Sequence, residues 1–171
     1  MSESTTAQWR AVYCKPRQEG RAQMHLVNQA YQVFLPQLRS RRRQRGADRT
    51  FIEPLFPRYL FVNLSDTQQN WAPIRSTRGV VGLVRIGEHV PTVPDALIQQ
   101  LKQRSDDLGV IALWDQHEPE INQPVEITAG PFSGYRGIFT ERSGQQRALI
   151  LLEILNAERT IEVPLENVRK V

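Results

Sequence analysis

The chain has 171 residues, 40% hydrophobic and 23% charged, an ordinary globular composition with room for one domain or two small ones. No stretch reaches the roughly 18 uncharged apolar residues that a spanning helix needs, and the polar start from Met1 to Gln8 is unlike a secretory signal, so a cytoplasmic protein without membrane contact is expected. A single cysteine, Cys14, excludes an internal disulfide and a CxxC metal site, and the net charge of +4 conceals a split: residues 1–105 carry 16 basic and 7 acidic side chains, residues 106–171 carry 6 and 11.

Trp9 to Cys14 alternates with period two, as a half-buried strand does. From Pro16 to Gln32 the period becomes helical: Ala22, Leu26, Gln29 and Ala30 share one face, with Arg17, Gln18, Arg21 and His25 on a neighbouring one. Val33 to Pro36 reads as a short strand. Gln37 to Thr50 holds Arg39, Arg41, Arg42, Arg43, Arg45 and Arg49 around Gly46, too much charge for a core and best suited to an exposed hairpin tip. Phe51 to Asn63 is apolar but broken by Pro54 and Pro57, leaving an extended piece from Tyr59 to Asn63. Ser65 or Asp66 can cap a short helix that Pro73 interrupts. Val80 to Ile86 and Val90 to Val93 read as strands joined at Gly87-Glu88, and Asp95 to Lys102 as an amphipathic helix with Ala96, Leu97, Ile98 and Leu101 on its apolar side.

Periodicity fades from Arg104 to Gln123, an acidic stretch read as a linker in which Val110, Ile111, Leu113 and Trp114 are able to dock. Beyond it, Val125 to Thr128, Tyr135 to Glu141, Ala148 to Leu155, Thr160 to Val163 and a piece near Val168 are short strands separated by turns, the pattern of a small barrel.

Of the basic residues only Lys15, Lys102 and Lys170 are lysine; the rest are arginine, whose planar fork pairs with phosphate and stacks on bases. A basic first half therefore suggests a polyanion, nucleic acid first, against the plain alternative of a solvated surface. Catalysis finds little support. Cys14 lies in an apolar strand with no orienting acid at recognisable spacing, and His25, His89 and His117 fit no metal-ligand pattern. Neither GxGxxG nor GxxxxGK[ST] occurs, so no enzyme activity, cofactor or metal is expected.

The run from Val125 to Phe139 is the most specific stretch: strand, Gly130-Pro131 turn, Phe132, Gly134, Gly137, strand. It resembles a KOW motif, whose glycines permit a tight turn. Trp9 with Tyr13, Pro54-Leu55-Phe56-Pro57 followed by Tyr59-Leu60-Phe61-Val62, and Thr77-Arg78-Gly79-Val80 resemble the N-terminal (NGN) domain of NusG-type elongation factors. Tyr13-Cys14-Lys15, Arg21-Ala22-Gln23, His25-Leu26, Glu53 and Phe139-Thr140-Glu141 are similar to its specialised antitermination branch, the RfaH type.

The resemblance implies an α+β fold: an antiparallel NGN sheet flanked by helices over residues 8–104, an acidic linker over 105–121, and a KOW domain over 122–171. That last domain is either a small SH3-like five-stranded barrel or, in a closed state, an α-helical hairpin. The implied function is that of a monomeric factor that suppresses pausing and termination. Its implied partners are the β′ clamp helices of RNA polymerase, single-stranded non-template DNA and, through the KOW domain, the ribosome. Phe56, Pro57, Tyr59, Phe61, Ile98 and Leu101 would receive the clamp helices; Lys15, Arg17, Gln18, Arg21, His25, Arg75, Thr77 and Arg78 would contact DNA. Glu53 and Arg147 match a charge pair between the domains. Two departures stand out: Asn70-Trp71-Ala72-Pro73 replaces a threonine-rich run that touches the polymerase β subunit, and Pro16 replaces an arginine. A general NusG-like factor, or a ribosome- or RNA-associated KOW protein, are the alternatives.

Gln145 to Arg159 suits both states. Most of its residues are good helix formers, yet Ile150 and Ile154 favour a strand; upstream, Gly130, Pro131, Gly134 and Gly137 weigh against a first helical arm. A closed helical state is expected in the full-length chain and a barrel in the isolated fragment 120–171.

Overall fold

Side chains on β1 (Gln8–Cys14) and β5 (Tyr59–Leu64) alternate between two cores, and this alternation organises the molecule. Trp9, Ala11 and Phe61 point to one core, Val12, Cys14, Leu60, Val62 and Leu64 to the other. The computed structural model describes residues 7–65, 70–112, 138 and 143–161, with backbone alone at 41–43 and 157–161.

Beside these two strands run β2 (Gln32–Phe34) and β6 (Val80–Leu83), giving an antiparallel sheet of order β2-β5-β1-β6. Helices α1 (Glu19–Asn28) and α2 (Ala72–Arg75) lie against the second core through Ala22, Leu26 and Ile74. Helix α3 (Asp95–Arg104) covers the first with Leu97, Ile98 and Leu101. The arginine segment is a regular hairpin of β3 (Gln37–Gln44) and β4 (Ala47–Pro54), closed by Arg45 and Gly46 at φ 53° and 77°, a turn that matches strand twist. A mixed α+β fold with antiparallel pairing is therefore the architecture of the chain.

Several boundaries differ from the sequence expectation. Helix α1 starts at Glu19 rather than Pro16, because Arg17 takes φ 61° and turns the chain first. Val90 to Val93 makes one isolated bridge in place of a strand, Thr92 with Arg10, while Ile86 and His89 bridge across the Gly87-Glu88 turn before it. In the stretch read as linker, β7 (Val110–Ile111) joins β3 in parallel. The Asp106 carboxylate accepts from the backbone N–H groups of Val110 and Leu108, both at 2.9 Å. The Val110 bond foremost holds its carboxyl below the usual range; burial opposes it, and the Leu108 bond and nearby Arg39 add to the lowering.

Over Ala148 to Leu155 the barrel reading expects a strand and the closed-state reading a helix. Here α4 (Gly144–Ile161) is one continuous helix. Its buried side chains, Arg147, Leu151, Ile154 and Leu155, recur at i, i+4, i+7 and i+8, a single helical stripe that a strand would split between two faces. The expected strand Thr160 to Val163 likewise begins inside this helix, which runs to Ile161; Val125 to Thr128, the piece near Val168 and all of Tyr135 to Glu141 except Ile138 lie outside the described residues.

Cys14 is buried, and burial foremost, with Glu19 adding and Arg58 opposing, pushes its thiol from 9.0 to about 12. A raised pKa means that the folded state keeps a proton the unfolded chain gives up. The contribution is thus complete below pH 9 and is lost on the way to about 12, at up to about 1.4 kcal/mol per pH unit. We expect native protein to resist alkylation near neutral pH and its urea midpoint to fall steadily above pH 9. Alkylation at the rate of a free cysteine would contradict this placement.

Candidate functional site

Two features stand on opposite faces of the sheet. The first is basic. Lys15, Arg17 and Arg21 are exposed, Gln18 and His25 half-exposed, and Gln18, Arg21 and His25 occur at i, i+3 and i+7 around α1. Arg75, the last residue of α2, and Arg78, in the turn after it, are also exposed. What brings this turn to α1 is Gly79, at φ 87°: a Cβ there would sit 2.9 Å from the Gln18 carbonyl oxygen and 3.0 Å from Ala22 N. The Lys15 N–H donates to the Gly79 carbonyl at 2.8 Å, and Gln29 Nε2 donates to Thr77 Oγ1 at 2.9 Å and to the His25 carbonyl at 3.0 Å. Sequence reasoning named the cations but missed Gly79 and Gln29, whose roles arise only from this long-range approach.

Thr77 needs correcting as a surface contact. It is buried, and its hydroxyl donates to the Pro73 carbonyl at 2.9 Å while accepting from Gln29, so it ties the turn to the helix. The residues at the departure from the family pattern are tied down too. Trp71 Nε1 donates to the Ser65 carbonyl at 3.2 Å, its ring lies 4.6 Å from the Arg10 guanidinium carbon, and Tyr31 Oη donates to the Asn70 carbonyl at 2.7 Å.

The second feature is an aromatic hollow. Phe56, Phe61, Ile98 and Leu101 are fully buried and Pro57 and Tyr59 partly so. Phe56 and Phe61 meet edge to face at 5.8 Å, and Tyr59 pairs with Tyr13 at 5.3 Å. Burial first, then Tyr13, pushes the Tyr59 hydroxyl upward, with Arg58 opposing.

Over this hollow lies α4. Leu151, Ile154 and Leu155, with Ile138, join the same cluster as Phe56, Phe61, Ile98 and Leu101. Each such side chain removed from water contributes about 1.5–3 kcal/mol. Arg147 is completely buried among them; its Nε donates to the Leu55 carbonyl at 2.7 Å and Nη2 lies 3.5 Å from Glu53 Oε1. At the start of the helix Gly144 abuts Pro57, where a Cβ would stand 2.7 Å from the ring Cγ. Gly144→Ala is accordingly expected to weaken docking of α4 by about 1 kcal/mol through overpacking, although alanine favours helix intrinsically. Undiminished helicity in the full-length variant on mild urea titration would contradict this.

Among the described residues no group of three or more His, Cys, Asp or Glu is arranged to hold a metal, and no helix is long and apolar enough to cross a membrane. The class so defined is a mixed α+β domain presenting a basic helix face and an aromatic hollow capped by a helix from its own chain. Residues 7–102, more than half the sequence, match the family model described as transcription termination factor NusG, and the chain belongs to the NusG family. It is 26% identical over 153 residues to the transcription termination/antitermination protein NusG of Staphylococcus aureus strain Newman, over 86% of this chain and 82% of that protein. The same protein of strain COL matches equally. A solved structure, described as "Domain interaction in Thermotoga maritima NusG", superposes with a TM-score of 0.39 at 20% identity over 54% of this chain and 53% of that one.

Proposed function

We propose that this chain is a specialised transcription antitermination factor of the RfaH type, held in a closed state. On release of α4, the hollow takes the β′ clamp helices of RNA polymerase. Lys15, Arg17, Gln18, Arg21, His25, Arg75 and Arg78 contact an element in the single-stranded non-template DNA, and pausing and termination are suppressed. The C-terminal region, 122–171, then forms the KOW barrel and is available to the ribosome. The observation that carries this reading is the seat of α4 on the hollow, locked by Arg147 to Glu53 and Leu55. A factor with permanent access to polymerase has no use for a helix there. The printed names of the relatives support the broader part, a transcription termination/antitermination factor.

The test uses the full chain and core RNA polymerase. Glu53→Ser removes the carboxylate 3.5 Å from the buried Arg147 guanidinium and is expected to raise polymerase affinity about ten-fold, since a buried charge that loses its ion-pair partner destabilises the closed state. Adding Tyr59→Ala should then cost about 2 kcal/mol of that affinity, as an aromatic anchor does. Binding indifferent to Glu53→Ser leaves the second reading, a general NusG-like factor without sequence specificity, which the relatives' names favour.

A further inference from the structure

The turn between β4 and β5 holds Arg58 at φ 74°, left-handed backbone that an L side chain adopts at a cost. Contacts from two elements keep it there. Its N–H donates to Glu19 Oε1 at 2.9 Å, its carbonyl accepts from the Cys14 N–H at 2.7 Å, and its Nε donates to the Cys14 carbonyl at 3.0 Å. The guanidinium carbon then stands 4.2 Å over the Tyr13 ring, itself paired with Tyr59. An arginine serving solubility alone would swing freely; here both backbone and Nε fix the plane of the fork. Arg58 remains half-exposed, and among the described residues no carboxylate forms an ion pair with it.

The surroundings favour a nucleic acid over an acidic peptide. Lys15 and Arg17, both exposed, follow Cys14 closely along the chain, so three cations share one rim of the sheet. The nearby carboxylate, Glu19, is buried and already engaged by the Arg58 N–H. A planar cation backed by an aromatic ring presents a flat face on which any base can lie, and flanking cations neutralise phosphates.

We propose that the Arg58–Tyr13 stack is a base-stacking shelf at the rim where the basic face meets the hollow, holding one unstacked base of single-stranded DNA while Lys15 and Arg17 take its phosphates. This rests on the reading of α1 as the DNA-binding face and adds to it a residue outside that helix. The full chain would be titrated with single-stranded DNA of mixed sequence, about 12 nucleotides long and carrying the fluorescent base 2-aminopurine, and with an abasic strand of equal length. Arg58→Gly suits the positive φ, and Arg58→Lys keeps the charge without the plane. Both variants should bind the base-bearing strand about ten-fold more weakly and lose the quenching of 2-aminopurine, while Arg58→Lys holds the abasic strand as the wild type does. Arg58→Lys equal to wild type on the base-bearing strand overturns the shelf and leaves a simple charge. Unchanged DNA binding by Arg58→Gly with weakened binding to polymerase overturns it in favour of an acidic protein partner. If Arg21→Ala abolishes DNA binding and Arg58→Gly does not, this inference alone falls; if the wild type holds neither strand, the DNA-face reading falls with it.

Discussion

Arg147→Ala is expected to release α4 from the hollow and to raise affinity for RNA polymerase by about thirty-fold, the equivalent of about 2 kcal/mol. The guanidinium is wholly buried, donates to the Leu55 carbonyl and faces Glu53, whose side chain is 26% exposed. Breaking a fully buried pair costs about 3–5 kcal/mol, but a partly exposed carboxylate recovers some hydration, which brings the figure down to about 2. A cavity the size of an arginine side chain adds to the loss. Arg147→Lys, with a point charge in place of the fork, should fall between the two. Circular dichroism reports the helix and a polymerase pull-down the opening. An alanine variant with wild-type helicity and affinity would mean that the ion pair does not lock the helix.

Leu151→Ala is expected to cost the closed state about 2–5 kcal/mol, the range for deleting a buried leucine side chain. Leu151 is fully buried in the cluster of Phe56, Phe61, Leu97, Ile98 and Leu101, so the loss falls on the seam between α4 and the hollow. The second core, of Val12, Leu26, Leu60 and Val62, touches none of it. The variant should therefore lose helical signal early in a urea titration while the rest of the domain unfolds later. Leu149→Ala is the control: at 59% exposure it should change stability by no more than about 0.5 kcal/mol. Equal effects of the two substitutions would refute the stripe that seats the helix.

The strand β1 and the helix α3 were legible because their residues keep one period throughout, and β5 because a short apolar run after Pro57 suits a strand buried on both faces. The cations of α1 were equally plain from charge alone. Val90 to Val93 misled: its β-branched residues suit a strand, but the segment meets β1 at an isolated bridge between Thr92 and Arg10. Arg58 gave only the weak signal of a turn residue after Pro57, since its importance lies in the Tyr13 ring reached across the sheet.

Sequence by itself thus determined the mixed α+β frame, the basic helix face and the aromatic-proline run. Tertiary structure decided the rest. Gly79 brings Arg78 to α1 through a backbone approach that no local pattern encodes. From Gln145 to Leu155 most residues favour a helix and Ile150 and Ile154 a strand, preferences of tenths of a kcal/mol per residue. Burial of Arg147, Leu151, Ile154 and Leu155 against the hollow is larger by several kcal/mol, so the tertiary contact decides where the helix lies and which face it turns inward.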